Sequence, residues 1–247
     1  MVIRVRCGLV AALLVLCQFA TLAHASVQVI GTRVIFPAKD GEVTVRLTND
    51  NNRPALVESW IDRGDDHSTP DKVDTPFLIT PPLFRMEAHK DQSLRIIFTH
   101  EQLPTDRESV FWLNVLEVPP KPNGPDAEQN YLQFAIRSRL KLFYRPSGLA
   151  VEPAKAPSLM RFSLVTDNGG YAVVVKNPSP YFVSISSLAL GASGSSYSTE
   201  PGMVAPMSEL KMPVHNLKQA LPAGTPVNFE SINDFGAASP TSAALGQ

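Results

Sequence analysis

Histidines, grouped carboxylates and a glycine-flanked serine are where chemistry would be sought first in this chain. Its histidines after the first 26 residues are His67, His89, His100 and His215. None has the H-x-x-x-H spacing of a metal site, and there is no C-x-x-C pair, so they read as surface histidines. "GASG" at Gly191 is a flexible loop without the G-x-S-x-G pattern of a nucleophile elbow. No glycine-rich loop opens a helix, which argues against a nucleotide site. "DRGDD", Asp62 to Asp66, groups carboxylates but lacks the spacing of a calcium loop and reads as a solvated turn. The expectation is therefore no enzyme, no metal and no cofactor. The chemistry that remains is cationic. In "NYLQFAIRSRLKLFYRP", Asn130 to Pro146, apolar Leu132, Phe134 and Ile136 alternate with polar or small residues, and Arg137, Arg139, Lys141 and Arg145 follow. The period is that of a strand, yet the cations do not suit a quiet core strand.

The segments around it are strands and turns throughout. "EVTVRLTND" places Val43, Val45 and Leu47 on one face and Glu42, Thr44 and Arg46 on the other. "ALVESWID", "FLITPPLFRM", "QSLRIIFT" and "SVFWLNVLEV" follow, separated by "NDNNRP", "DRGDD" and "KPNGPD". About seven short strands precede Pro146, at sandwich-like spacing. "RPSGLAVEPAKAP" reads as a linker or hinge. The strand pattern then restarts with a hairpin around Asp167, Asn168, Gly169 and Gly170, then "YFVSISSLAL", "ELKMPV" and "TPVNFESIND". This predicts an all-β chain of two sandwiches, with residues 26–146 as the first domain and 147–247 as the second.

Residues 1–25 read as a cleavable leader. Arg4 and Arg6 precede an apolar stretch from Gly8 to Leu22, and Ala23-His24-Ala25 is an A-x-A site, so the mature chain is expected to start at Ser26. The apolar stretch is too short for a membrane span. Both cysteines, Cys7 and Cys17, fall in this leader, and Leu16 is bulky for a lipoprotein signal. An exported chain with neither disulfide nor thiol must be held by its core alone, which this length permits. A net charge of −1 gives no footprint for nucleic acid.

"LPTDRESVFWLNVLEVPP", Leu103 to Pro120, closely resembles the signature of the periplasmic pilus-assembly chaperones of the chaperone–usher pathway, the PapD-like family. "TRVIF", "LTNDN", "TPP" before Leu83, "KLFYRP" and "INDFG" agree with that family in order, over nearly the whole mature chain. The resemblance implies two immunoglobulin-like β-sandwiches set at an angle with a cleft between them. It implies a periplasmic chaperone that captures incomplete pilus subunits, lends each a strand, and delivers it to an outer-membrane usher; strand donation of this kind is a recognised mode of β-augmentation. It makes Leu132, Phe134 and Ile136 donor-strand residues on an edge strand, although periodicity alone would favour their facing their own core. It makes Arg33 and Lys141 the anchor for the subunit's C-terminal carboxylate, where two cations would form charge-assisted hydrogen bonds and fix register. Read alone, each would be a solvated or snorkelling cation. It makes Glu108, Arg145 and Asp234 an interdomain ionic cluster, the alternative being three unrelated surface charges.

Some features bear on the subgroup. The short loop between Pro120 and Tyr131 suits chaperones of rod-like pili, and the cysteine pair some relatives carry near the C-terminus is missing. Pro37 threatens to shorten the first strand. Lys141 has opposite parity to Leu132, Phe134 and Ile136, which calls for a bulge or a special cleft shape. An exposed edge also makes self-association of the free protein an expectation. The competing readings are a two-domain structural pilus subunit or adhesin, and a secreted hydrolase for which no catalytic constellation is present.

Overall fold

The computed structural model describes residues 27–121, 130, 132–192 and 194–246. The expected leader, its cleavage before Ser26, both cysteines, Tyr131 and most of the loop after Pro120 lie outside the described residues. The chain forms two β-sandwiches with separate apolar cores.

The first sandwich holds β1 (Val27–Val29), β2 (Arg33–Pro37), β3 (Glu42–Asn49), β4 (Ala55–Asp62), β5 (Phe77–Thr80), β6 (Leu83–Met86), β7 (Lys90–Phe98), β8 (Ser109–Val118) and β9 (Ile136–Arg145). One sheet runs β1-β3-β7-β5 and the other β2-β9-β8-β4-β6. Among the described residues nine strands precede Pro146, where about seven were expected. The difference arises partly at "FLITPPLFRM". Its two prolines cannot donate to a ladder, so the run splits, with β5 joining β7 in one sheet and β6 joining β4 in the other. The N-terminal segment also changes sheets. β1 pairs antiparallel with β3, and three residues later β2 pairs parallel with β9. Pro37 is the last residue of β2, where a missing N–H is tolerated.

The second sandwich holds β10 (Arg161–Asp167), β11 (Gly170–Asn177), β12 (Val183–Ala192), β13 (Ser195–Ser198), β14 (Gly202–Val204), β15 (Ser208–Pro213), β16 (Pro226–Ile232) and β17 (Ala238–Ala244). Its sheets run β10-β11-β15 and β13-β12-β16-β17, with β14 also on β12. Asn168 and Gly169, both at positive φ, make the two-residue turn joining β10 to β11. Each sandwich uses a buried asparagine at a strand end in the same way. Asn49 donates to the carbonyls of Arg53, Met86 and Glu87, and Asn177 to those of Tyr181, Val204 and Ala205. The stretch expected to be a plain linker is partly core: Ala156 is buried in the second sandwich, and Leu149 and Val151 pack against it.

Candidate functional site

β9 decides the geometry. Its register with β8 is unbroken from Ile136 opposite Glu117 to Tyr144 opposite Ser109, so it contains no bulge. Even-numbered residues face the first core, where Leu140 and Leu142 are buried. The core-facing row on β8 closes at Glu117, opposite Ile136. Ile136, Phe134 and Leu132 continue past this rim and are 51%, 67% and 77% exposed. Odd-numbered residues face the other way and carry all the cations. The parity difference is therefore a division of labour between two faces, and the expected bulge is replaced by a straight strand.

β9 is an edge strand for only half its length. β2 pairs with residues 141–145, whereas, among the described residues, residues 136–140 pair with β8 alone. The expectation of an edge strand holds for the N-terminal half and fails for the other, which lies between two neighbours. The free half leaves backbone donors and acceptors unpaired along one side.

Where β2 begins, the parallel register sets Arg33 directly beside Lys141. Both reach toward the second sandwich. Arg33 Nη1 donates to the Ile232 carbonyl at 2.9 Å, and Lys141 Nζ lies 3.5 Å from Ser184 Oγ. Arg33 Nε is buried without a hydrogen-bond partner among the described residues, and neither cation forms an ion pair there. Burial pulls the Arg33 pKa down, against the opposing pull of Asp234 and Glu108. Burial, and then the Arg33 charge, pull Lys141 down. Two adjacent, partly dehydrated cations with no ion pair among the described residues have the chemistry to hold one anion.

A second set of charges lies at the same junction. Arg145 Nε donates to Glu108 Oε1 at 2.7 Å, and Nη1 and Nη2 reach the two oxygens of Asp234 at 2.6 and 2.8 Å. Phe182 N–H donates to Glu108 Oε2, and Glu108 N–H to the Pro180 carbonyl, so the first sandwich is bonded to the second through backbone as well. Burial opposes the charge of Arg145, yet Asp234 and Glu108 outweigh it and raise its pKa. Burial pushes the Glu108 carboxyl up, Arg145 notwithstanding. The "INDFG" turn fits closely here. Gly236 sits at φ 84°, and a Cβ on it would lie 2.2 Å from Thr32 Oγ1. A cavity of about 260 Å³ between the sandwiches is lined by Arg33, Glu108, Phe143, Arg145, Tyr181 and Asp234. Arg33, Lys141 and Arg145 against Glu108 and Asp234 leave the junction one negative charge short.

Sequence reasoning missed a third set. Asp62 is no solvated turn residue: it is 1% exposed, with Arg139, Asn114, Ser68 and Gly64 N–H all donating to it. "DRGDD" disguised it, because the burial depends on partners far along the chain. The four histidines join no metal-type group; among the described residues no three His, Cys, Asp or Glu side chains converge.

Two β-sandwiches, a strand covered over half its length and two neighbouring cations at the domain junction accord with the proteins this chain is similar to. Residues 26–150 match the pili and flagellar-assembly chaperone, PapD N-terminal domain, and residues 154–243 the pili assembly chaperone PapD, C-terminal domain. The chain belongs to this family of pilus-assembly chaperones. It is 44% identical over 222 residues to the probable fimbrial chaperone YadV of Escherichia coli (strain K12), covering 89% of this chain and 90% of the relative. It is 44% identical over 236 residues to the chaperone protein FimB/FhaD of Bordetella pertussis (strain Tohama I), covering 93% and 92%. The crystal structure of the YadV chaperone superposes with a TM-score of 0.77 at 41% identity, over 90% of this chain and 100% of that one. The SafB chaperone in complex with the SafA pilin of Salmonella enterica gives 0.72 at 30% identity, over 91% and 99%.

Proposed function

We propose that this chaperone works in the periplasm, reached through the cleavable leader ending at Ala25, and captures pilus subunits by lending them the free half of β9 before delivery to an outer-membrane usher. Residues 26–146 form the lending domain, and residues 147–247 close the cleft behind it. The observation that carries the reading is the juxtaposition, where β2 meets β9, of an uncovered edge and two cations with no ion pair among the described residues.

Leu132, Phe134 and Ile136 enter the subunit's open groove, each burial worth about 1.5–3 kcal/mol before ordering costs. The subunit's terminal carboxylate sits between Arg33 and Lys141. That placement sets direction. A chain ending at Lys141 and lying along residues 132–140 runs parallel to β9, in line with β2. The Glu108–Arg145–Asp234 cluster holds the angle at which both cations face one carboxylate.

Co-expression with a subunit in the periplasm tests this. The parent protein is expected to yield a discrete one-to-one complex, whereas a structural subunit would yield ladders or fibres of itself. Phe134→Asp is expected to lose the complex, because an unpaired carboxylate would enter an apolar groove. Its own melting temperature should stay within a degree or two, since Phe134 is 67% exposed in the free protein. A large drop in melting temperature would place Phe134 in the chaperone's own core and remove it from the donor strand.

A further inference from the structure

The free half of β9 lacks the strand that steadies its other half, yet it keeps β geometry from Ile136 onward. What replaces β2 there is a side-chain network on the odd-numbered face. Arg139 Nη2 donates to Asp62 Oδ1 at 2.7 Å, and the guanidinium lies 4.4 Å from the Trp112 ring centre. Arg137 Nε and Nη2 donate to Asn114 Oδ1 at 2.9 and 2.7 Å. Arg137 also reaches the Asp66 carbonyl and Ser68 Oγ, and lies 4.8 Å from the Trp60 ring centre. Asn114 Nδ2 closes the circuit on Asp62 Oδ2 at 2.7 Å, and Trp60 Nε1 and Ser68 Oγ join it. Both acceptors are buried on β4 and β8, the next two strands of the same sheet. Burial works against the Asp62 charge, but hydrogen bonds from Arg139, Asn114, Gly64 and Ser68 outweigh it and hold its pKa below the usual carboxylate range.

The register extends this network to the anion site. Asp62, Trp112, Lys141 and Arg33 occupy one rung across β4, β8, β9 and β2. Trp60, Asn114 and Arg139 occupy the next. Lys141 Nζ lies 5.6 Å from the Trp112 ring centre, the ring Arg139 also covers.

We propose that Asp62 and Asn114 are positioning residues for strand addition: through Arg139 and Arg137 they hold the uncovered half of β9 straight and in register from its far face, leaving its free edge and apolar face open to a partner. They touch no part of the guest strand. A half-strand steadied by neighbours on both sides would have no edge to lend; one steadied by β8 alone would fray. Side chains anchored behind the sheet give order without occupying the ladder, and an ordered edge loses less freedom on pairing. This rests on β9 being the lending strand.

The test uses the full mature chain with Asp62→Asn, and Arg137→Gln as a second variant whose half-buried side chain puts the fold at less risk. Three readouts are needed. Amide hydrogen exchange by NMR compares residues 136–140 with 141–145. Tryptophan emission reports the network directly, because the chain's two tryptophans, Trp60 and Trp112, both belong to it. Stopped-flow mixing gives the rate of subunit capture. The expected result is roughly tenfold faster exchange confined to the β8-bonded amides of 136–140, a shifted emission, and capture slowed several-fold. Exchange unchanged in both variants, or raised equally over 141–145 and β8, would overturn the proposal; so would local loosening with an unaltered capture rate. Failure of the underlying reading is distinguishable, because then the parent protein itself would capture no subunit.

Discussion

Lys141→Ala is expected to leave the free chaperone as stable as the parent or slightly more so, while capture of subunits weakens about 10- to 100-fold, the equivalent of one charge-assisted hydrogen bond. The lysine is partly stripped of water, stands beside Arg33, and meets no carboxylate among the described residues. Its pKa in the folded state lies below the ordinary lysine value, with burial as the larger cause. The unfolded chain therefore holds that proton more firmly. The ammonium counts against folding at neutral pH and is relieved only as pH rises through the folded pKa. Alanine removes that burden along with the proposed anchor. Denaturation curves near neutral pH, set beside periplasmic pull-down of subunits, check both halves. Capture at the parent's level would remove Lys141 from the anchor. Arg33→Ala should differ, since it also deletes the bond to the Ile232 carbonyl across the junction.

Arg145→Ala is expected to cost about 3 kcal/mol at neutral pH, more than any other single change at the junction. Its Glu108 arm is almost fully enclosed, whereas Asp234 is 37% exposed and would contribute at most about 1 kcal/mol as a pair. Without the guanidinium, Glu108 keeps only the Phe182 N–H as a side-chain partner. The pH dependence has a definite sign. Burial already holds the Glu108 carboxyl above its ordinary range, so the folded state takes up a proton more readily than the unfolded chain. Acidification through that window favours the fold. Loss of Arg145 raises the folded pKa further. The deficit of the variant should then be largest at neutral pH, where Glu108 would be charged, and shrink as pH falls through the raised folded pKa. A deficit independent of pH would mean that Glu108 is not what Arg145 neutralises. A double-mutant cycle with Asp234→Asn, read together with small-angle scattering, isolates the other arm; additivity within about 0.5 kcal/mol and an unchanged scattering curve would show the two act separately.

Much of this was legible in the chain. Alternation in "EVTVRLTND" and "SVFWLNVLEV" marks strands because one face of each is buried, and Asp167 to Gly170 marks its hairpin because the turn needs positive φ. The motif around Glu108 and the "KLFYRP" and "INDFG" segments carried the candidate site through resemblance. What stayed hidden was tertiary. Nothing local to "DRGDD" shows that Asp62 will meet an arginine 77 residues away. The parity of Lys141 looked like a conflict because periodicity cannot tell where a core ends; beyond Glu117 the core-facing side of β9 becomes open surface. That β2 covers only half of β9 follows from a sheet change between Val29 and Arg33, which has no sequence period of its own.

The abutment of β2 at Arg33 has a further consequence. A guest strand on the open edge would meet a wall at one end, made by the chaperone's own chain, and on the proposed anchoring its terminus would be gripped against that wall. Residues 132–140 offer about 30 Å of track. With the proposed anchoring, the chaperone would work as a ruler that counts a guest backward from its tail, without searching for a pattern in the guest's middle. A guest longer by one residue at its terminus would present every side chain to the wrong face, though its sequence were otherwise unchanged. One longer by two would recover the face but shift each side chain by one pocket. Selectivity of this kind depends on where a chain stops, and it requires few specific contacts with the residues that come before.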